Sequence, residues 1–245
     1  WQDYTVHDKV HPNKAGAEKM ATVWFEALKK VLASSETVFS PEIVRYKTLE
    51  DGDSLALHIF KPRNMQAGEK RPAIVYFFGG GWKLGTPIQF YRECAYYASK
   101  GMVAVSVDYR IGYLHHSTPF ESFEDAKDAI CWLRSHASDY QLDPDKIAVA
   151  GGSAGGHLAA ALGTIGSDET VPAGYRPNLS VLYYPVIDMV SRGYGFPEIK
   201  RDFEKISPIH HVSEATPSTL ILLGTKDPIV SVETIEAYQD KLLQK

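Results

Sequence analysis

The ten residues from Ile147 to Gly156 constrain this chain more than any other stretch. Ile147-Ala148-Val149-Ala150 is an unbroken apolar run, and Asp143-Pro144-Asp145-Lys146 closes the segment before it, so the run reads as a short buried strand. Gly151-Gly152-Ser153-Ala154-Gly155 follows at once and fits the pattern G-x-S-x-G. Ala154, Gly155, Gly156, Ala159, Ala160 and Ala161 then begin a helix with almost no side-chain bulk. A strand that turns directly into a helix needs such small residues, and the turn holds one hydroxyl, that of Ser153, in the open as a nucleophile.

By itself the pattern also suits an ordinary glycine-rich loop, so its neighbours decide. Upstream, Pro72-Ala73-Ile74-Val75-Tyr76-Phe77-Phe78 is a second buried-strand signature that runs into Gly79-Gly80-Gly81-Trp82. Successive glycines expose backbone N–H groups, which can hold a developing oxyanion at about 3 kcal/mol per donor. Trp82 anchors that loop. Downstream, Ser218-Thr219-Leu220-Ile221-Leu222-Leu223-Gly224 reads as a strand, and Thr225-Lys226-Asp227-Pro228-Ile229-Val230 as the loop leaving it. An acid there can orient a histidine base, whereas alone Asp227 reads as a turn residue or the cap of a helix starting near Ser231. The order of glycine triplet, serine and acid favours the catalytic reading.

From about Val38 to Lys245 the chain resembles the α/β-hydrolase fold, within the esterase and lipase group that carries an H-G-G-G oxyanion loop. Gly101-Met102-Val103-Ala104-Val105-Ser106-Val107-Asp108-Tyr109-Arg110 is similar to that group's fourth strand and its D-Y-R ending, and the residues from Gly152 to Ala159 to its elbow. The resemblance implies an α/β fold, a mostly parallel sheet flanked by helices. It implies Ser153 as nucleophile, Asp227 as triad acid, and the N–H groups of Gly80, Gly81 and Ala154 as oxyanion hole, with no metal and no cofactor. Phe78 stands where the group has a loop-bracing histidine; the donors are backbone groups and survive the exchange.

A second departure concerns the base. No histidine follows Asp227; the nine are His7, His11, His58, His115, His116, His136, His157, His210 and His211. The resemblance implies a further strand, a histidine loop and a final helix beyond Lys245, so the chain reads as lacking its last strand and helix and is expected to turn over esters poorly. His157 reads as a partly buried structural residue and His210 and His211 as structural. His115 and His116 form a pair without further metal ligands at a convincing spacing.

Residues 1–33 do not follow the hydrolase pattern. Asp8-Lys9-Val10-His11-Pro12, followed by an amphipathic stretch from Ala17 to Leu32, resembles the C-terminal tail of an SGNH or GDSL hydrolase, in which Asp8 and His11 would be acid and base. Residues 34–40 read as a linker and 41–245 as the esterase domain, which predicts a tandem parent with an SGNH-type domain upstream. His11 donated to Ser153 is a further alternative. The chain opens on Trp1 without an initiator methionine, which predicts an excised piece and leaves the compartment unread, secreted or periplasmic if the substrate is a polysaccharide.

With 26 basic and 30 acidic residues the formal charge is −4, and no basic run supports nucleic-acid binding. No apolar stretch reaches the eighteen or so residues of a membrane span. Cys94 and Cys131 fall in helical segments and read as two free buried thiols. Residues 187–201 lack a period and read as a small lid, and Tyr183, Tyr184, Tyr194, Phe196, Trp82 and Tyr109 are candidate pocket aromatics. The leading function is carboxylic-ester hydrolysis of short acyl groups, acetyl or feruloyl esters of plant polysaccharide among them. A peptidase of the same fold and a non-catalytic binding module are the alternatives.

Overall fold

The computed structural model describes residues 40–166, 173–189 and 202–245, together with Lys19 and Thr22. The chain divides into two compact units, Trp1–Phe39 and Ser40–Lys245. Of the first, Lys19 and Thr22 are both helical and exposed; the Asp8 and His11 reading, the linker and most of the 187–201 segment lie outside the described residues.

In the second unit the strands are β1 (Glu42–Thr48), β2 (Ser54–Phe60), β3 (Arg71–Phe77), β4 (Val103–Val107), β5 (Leu142–Gly152), β6 (Leu179–Tyr183) and β7 (Ser218–Leu222). The helices are α1 (Tyr91–Ser99), α2 (Gly112–His115), α3 (Pro119–Ser135), α4 (Ala154–Thr164), α5 (Phe203–Ile206) and α6 (Val232–Leu243). The strands form one sheet in the order β1-β2-β4-β3-β5-β6-β7. β1 and β2 pair antiparallel, as do β2 and β4, and every other neighbour is parallel. This is the mostly parallel, helix-flanked α/β architecture expected. Its central strands are mostly apolar because helices cover both faces, and all five residues of β4 are buried, Ser106 with its hydroxyl donated to the Pro87 carbonyl. The parallel strands carry their C-terminal ends to one edge, where the loops with Gly79 to Gly81, Ser153 and Asp227 leave the sheet.

Two expectations need correction. Asp143-Pro144-Asp145-Lys146 does not end a preceding segment but lies inside β5, which starts at Leu142. Leu142 pairs with Arg71 and the register shifts before Ala73 meets Ile147, an irregularity that accommodates Pro144, which has no N–H to give. Cys94 is buried, but Cys131 is exposed. The stripe that α3 buries runs through Ala126, Ala129, Ile130 and Leu133, and Cys131 is a third of a turn off it.

α3 starts on a capping box in which the Thr118 N–H donates to Glu121, with Pro119 following. Its buried Asp125 accepts from Lys47 Nζ at 2.6 Å, from Arg110 Nε and Nη2 at 2.8 Å each, and from the Arg110 N–H at 2.9 Å. One carboxylate thereby fastens α3 to β1 and to the loop leaving β4. At the other end β7 is the edge strand, with Leu220 and Leu222 about half exposed.

Candidate active site

Ser153 occupies the single residue between β5 and α4, with φ 54° and ψ −118°. For a residue with a side chain this backbone costs on the order of 1–3 kcal/mol and persists only where the surroundings impose it. They do. The Ser153 N–H donates to the Tyr183 carbonyl at 3.0 Å, and its carbonyl accepts from the His157 N–H at 2.9 Å. α4 begins so close to β3 that a Cβ on Gly155 would stand 2.0 Å from the Phe77 carbonyl oxygen. The serine is half-buried, and its hydroxyl makes no capping bond to the helix.

The glycine loop lies beside it. A Cβ on Gly79 would stand 3.5 Å from Ser153 Cβ and 2.9 Å from the Gly152 carbonyl oxygen, so the loop borders the nucleophile directly. The Gly79 N–H donates to Gln89 Oε1 at 2.5 Å, and the Gly80 carbonyl accepts from the Lys83 and Leu84 N–H groups at 3.1 and 3.2 Å. Gly80, at φ 136°, has no room for a side chain, since a Cβ would meet the Leu84 carbonyl oxygen at 1.9 Å. Among the described residues, no hydrogen bond engages the N–H groups of Gly80, Gly81 or Ala154. That of Ala154 also stands at the positive end of α4.

Two aromatic contacts set this loop. Trp82 is buried and meets the His157 ring edge-on at 5.1 Å, while its carbonyl accepts from the Gly112 N–H at 2.8 Å. The Phe78 ring stacks on Tyr109 at 4.1 Å, and the Tyr109 hydroxyl donates to the Phe78 carbonyl at 2.6 Å. Stacking replaces the polar brace that a histidine would give at position 78.

Asp227 leaves β7, two strand spacings or about 10 Å from β5 across the sheet. Its Oδ1 accepts the N–H groups of Ile229 and Val230, both at 2.9 Å, and these bonds hold the carboxyl below the usual carboxylate range. Ser231, not Asp227, caps α6.

The described histidines are not joined to the site. His157, read as partly buried, is fully buried; its Nε2–H donates to the Ile206 carbonyl at 2.7 Å, and burial pushes its pKa down to about 4, so it is neutral. His58 bonds the Tyr91 hydroxyl, His115 Nδ1 accepts from the Ile111 N–H, and His211 Nε2 donates to the Glu204 carbonyl. His136 stacks on Trp132, His210 Nε2 is 3.8 Å from Asp188 Oδ1, and His116 closes α2 with a left-handed backbone. None is bonded to Asp227 or Ser153 among the described residues. His7, His11, Tyr194 and Phe196 lie outside them.

Of the candidate pocket aromatics, Trp82 and Tyr109 are core residues, Tyr183 is half-buried, and Tyr184 is 44% exposed. Gln89 was not singled out by sequence, because a glutamine in the turn after Thr86-Pro87 carries no signal of the loop it holds. No cluster of metal-ligating side chains and no helix long and apolar enough to cross a membrane occurs among the described residues.

A nucleophile turn at the end of β5, a glycine loop at the end of β3 and a mostly parallel sheet define the class: an α/β-hydrolase fold. Within that class the chain belongs to the BD-FAE family, whose model matches residues 57–192. Among solved structures it is similar to the thermophilic esterase Est2 of Thermogutta terrifontis, with a TM-score of 0.77 and 35% identity over 84% of this chain and 78% of that one. The same esterase phosphonylated by sarin matches equally well, at TM-score 0.77. Curated relatives include esterase LipC of Mycobacterium tuberculosis, 28% identical over 78% of this chain and 53% of that protein. An acetylxylan esterase of Xylanibacter ruminicola is 26% identical over 76% of this chain and 39% of that protein. The chain spans about half the length of the first curated relatives it matches.

Proposed function

We propose that this chain carries the nucleophile, oxyanion hole and acid of a carboxylic-ester hydrolase that works through an acyl-serine. The observation behind this reading is the glycine loop bordering the nucleophile so closely that a Cβ on Gly79 would stand 3.5 Å from Ser153 Cβ, with the N–H groups of Gly80, Gly81 and Ala154 unengaged. Ser153 Oγ attacks the ester carbonyl, its proton passes to a histidine, and the carbonyl oxygen gathers charge facing those donors. The C–O bond to the alcohol breaks as the histidine returns the proton, and water then releases the acid by the same route. Asp227, with Oδ1 tied to its own loop, has Oδ2 to orient the base. Because no described histidine is bonded to Ser153 or Asp227, the base in this scheme is a histidine outside the described residues.

Short acyl esters, acetyl or feruloyl groups on plant polysaccharide among them, are the proposed substrates; the acetylxylan esterase among the relatives supports the acetyl case. An SGNH-type domain upstream, of which residues 1–33 are the tail, belongs to the same proposal.

A fluorophosphonate probe tests the nucleophile. Peptide mapping is expected to find the adduct on Ser153, and Ser153→Ala to remain unmodified while hydrolysis of p-nitrophenyl acetate falls to background; in a complete serine triad that loss is roughly a million-fold. A protein that includes the base and still stays unmodified would sink the esterase reading in favour of a binding module, and turnover of peptides without turnover of esters would favour a peptidase.

A further inference from the structure

Three non-glycine residues with left-handed backbone stand just past the ends of three neighbouring strands: Trp82 beyond β3 (φ 58°), Ser153 beyond β5 (φ 54°) and Tyr184 beyond β6 (φ 38°). The first two belong to the site already described. Tyr184, so far only a candidate pocket aromatic, is the third. Its backbone is doubly disfavoured, because a side chain resists positive φ and Pro185 restricts the residue before it to extended conformations. The Tyr184 N–H, donating to the Leu222 carbonyl at 2.7 Å, holds it there.

The strain fills no core, since the ring is 44% exposed. It lies instead over the main chain just before the nucleophile: a Cβ on Gly152 would stand 2.9 Å from the Tyr184 hydroxyl and 3.2 Å from Cε2 and Cζ. The outer end of the ring therefore abuts Gly152, where a side chain would have to displace it. Strained residues collect at sites where geometry serves function.

Sheet order gives the ring a direction. Ser153 has the glycine loop on its β3 side and Tyr184 on its β6 side, with Asp227 one strand further on. In the acyl-serine reading, on which this inference rests, the oxyanion points to the glycine loop and the alcohol departs on the side where Asp227 orients the base. We propose that Tyr184 is the wall of the alcohol-side subsite, a specificity residue that selects esters whose alcohol presents a flat ring face, sugar or aryl, to the phenol ring.

The test follows acetylation of Ser153 by intact mass in the protein that includes the base, with phenyl acetate and trifluoroethyl acetate, two activated acetates of which only the first has a planar alcohol. Tyr184→Ala is expected to lower the phenyl-to-trifluoroethyl rate ratio about five- to tenfold, the size of one aromatic contact, while Tyr184→Phe keeps it. The phenyl acetate to phenyl butyrate ratio should stay constant. Tyr184→Gly, which relieves the backbone, must show the same loss as Tyr184→Ala, so that misfolding is not mistaken for lost recognition. Equal slowing of both acetates, or a shift in the acetate-to-butyrate ratio, overturns the assignment while leaving the serine reading intact. Failure of every ester to acylate Ser153 in a protein that includes the base removes both.

Discussion

Ser153 carries a backbone that serine does not choose, and its strain is measurable. Replacing it with glycine removes the penalty of roughly 1–3 kcal/mol at φ 54° but adds about 0.5–1 kcal/mol of unfolded-chain entropy. Ser153→Gly is therefore expected to be about 1 kcal/mol more stable than Ser153→Ala, a rise of about 2–4 °C in Tm for a chain of this size, with both inactive. Paired thermal melts check it, and equal melting temperatures would show that the elbow is relaxed. At this scale the sequence exposes some residues and hides others. The serine and the glycine triplet are legible because a turn without room for side chains writes itself as a contiguous run of small residues. Gln89 and Tyr109 reach the loop from 10 and 31 residues away through single hydrogen bonds, and such contacts leave no period or spacing to read. Tyr184 was legible as an aromatic but not as a strained one, since only the ladder to β7 fixes its backbone.

Among elements, α3 is held by the Asp125 carboxylate as much as by its apolar stripe. Asp125→Ala leaves Arg110 and Lys47 without their shared partner inside a largely buried contact, and losses of about 3–5 kcal/mol accompany such breaks. Since the two cations are partly exposed, the expected cost lies near 3 kcal/mol, read as a lower urea midpoint at unchanged m-value. A loss below 1 kcal/mol would mean that solvent already screens the cluster. Strands of the sheet centre were legible from their apolar runs. The start of β5 was not, because Asp143-Pro144-Asp145-Lys146 has the composition of a turn and joins the sheet only through a shift in register against β3. Cys131 misled for a related reason: an apolar residue in a helical segment does not say which face it takes.

Two buried groups contribute to the pH dependence of the molecule with opposite sign. His157, neutral with a pKa near 4, binds its proton more weakly folded than unfolded, so stability falls as pH drops from about 6.5 to 4. Asp108, which burial raises to about 6, holds its proton more tightly when folded, so its contribution falls as pH rises from about 4 to 6. The two oppose each other over that window, so their contributions partly cancel in the unmodified chain. His157→Asn, whose amide can still donate to the Ile206 carbonyl, separates them. Between pH 7 and pH 4 the parent is expected to lose about 3 kcal/mol more than the variant in urea unfolding, and parallel curves would refute the assignment to His157.

The three left-handed backbones at Trp82, Ser153 and Tyr184 bear on the order in which the protein comes apart. Each is a spring held closed by hydrogen bonds at the rim, while the sheet below has no such tension. Local openings begin where contacts are few and strain is highest. Mild heat or low denaturant should therefore release the rim before the sheet, and the reactivity of Ser153 toward a phosphonate should fade while far-ultraviolet ellipticity still reports an intact sheet.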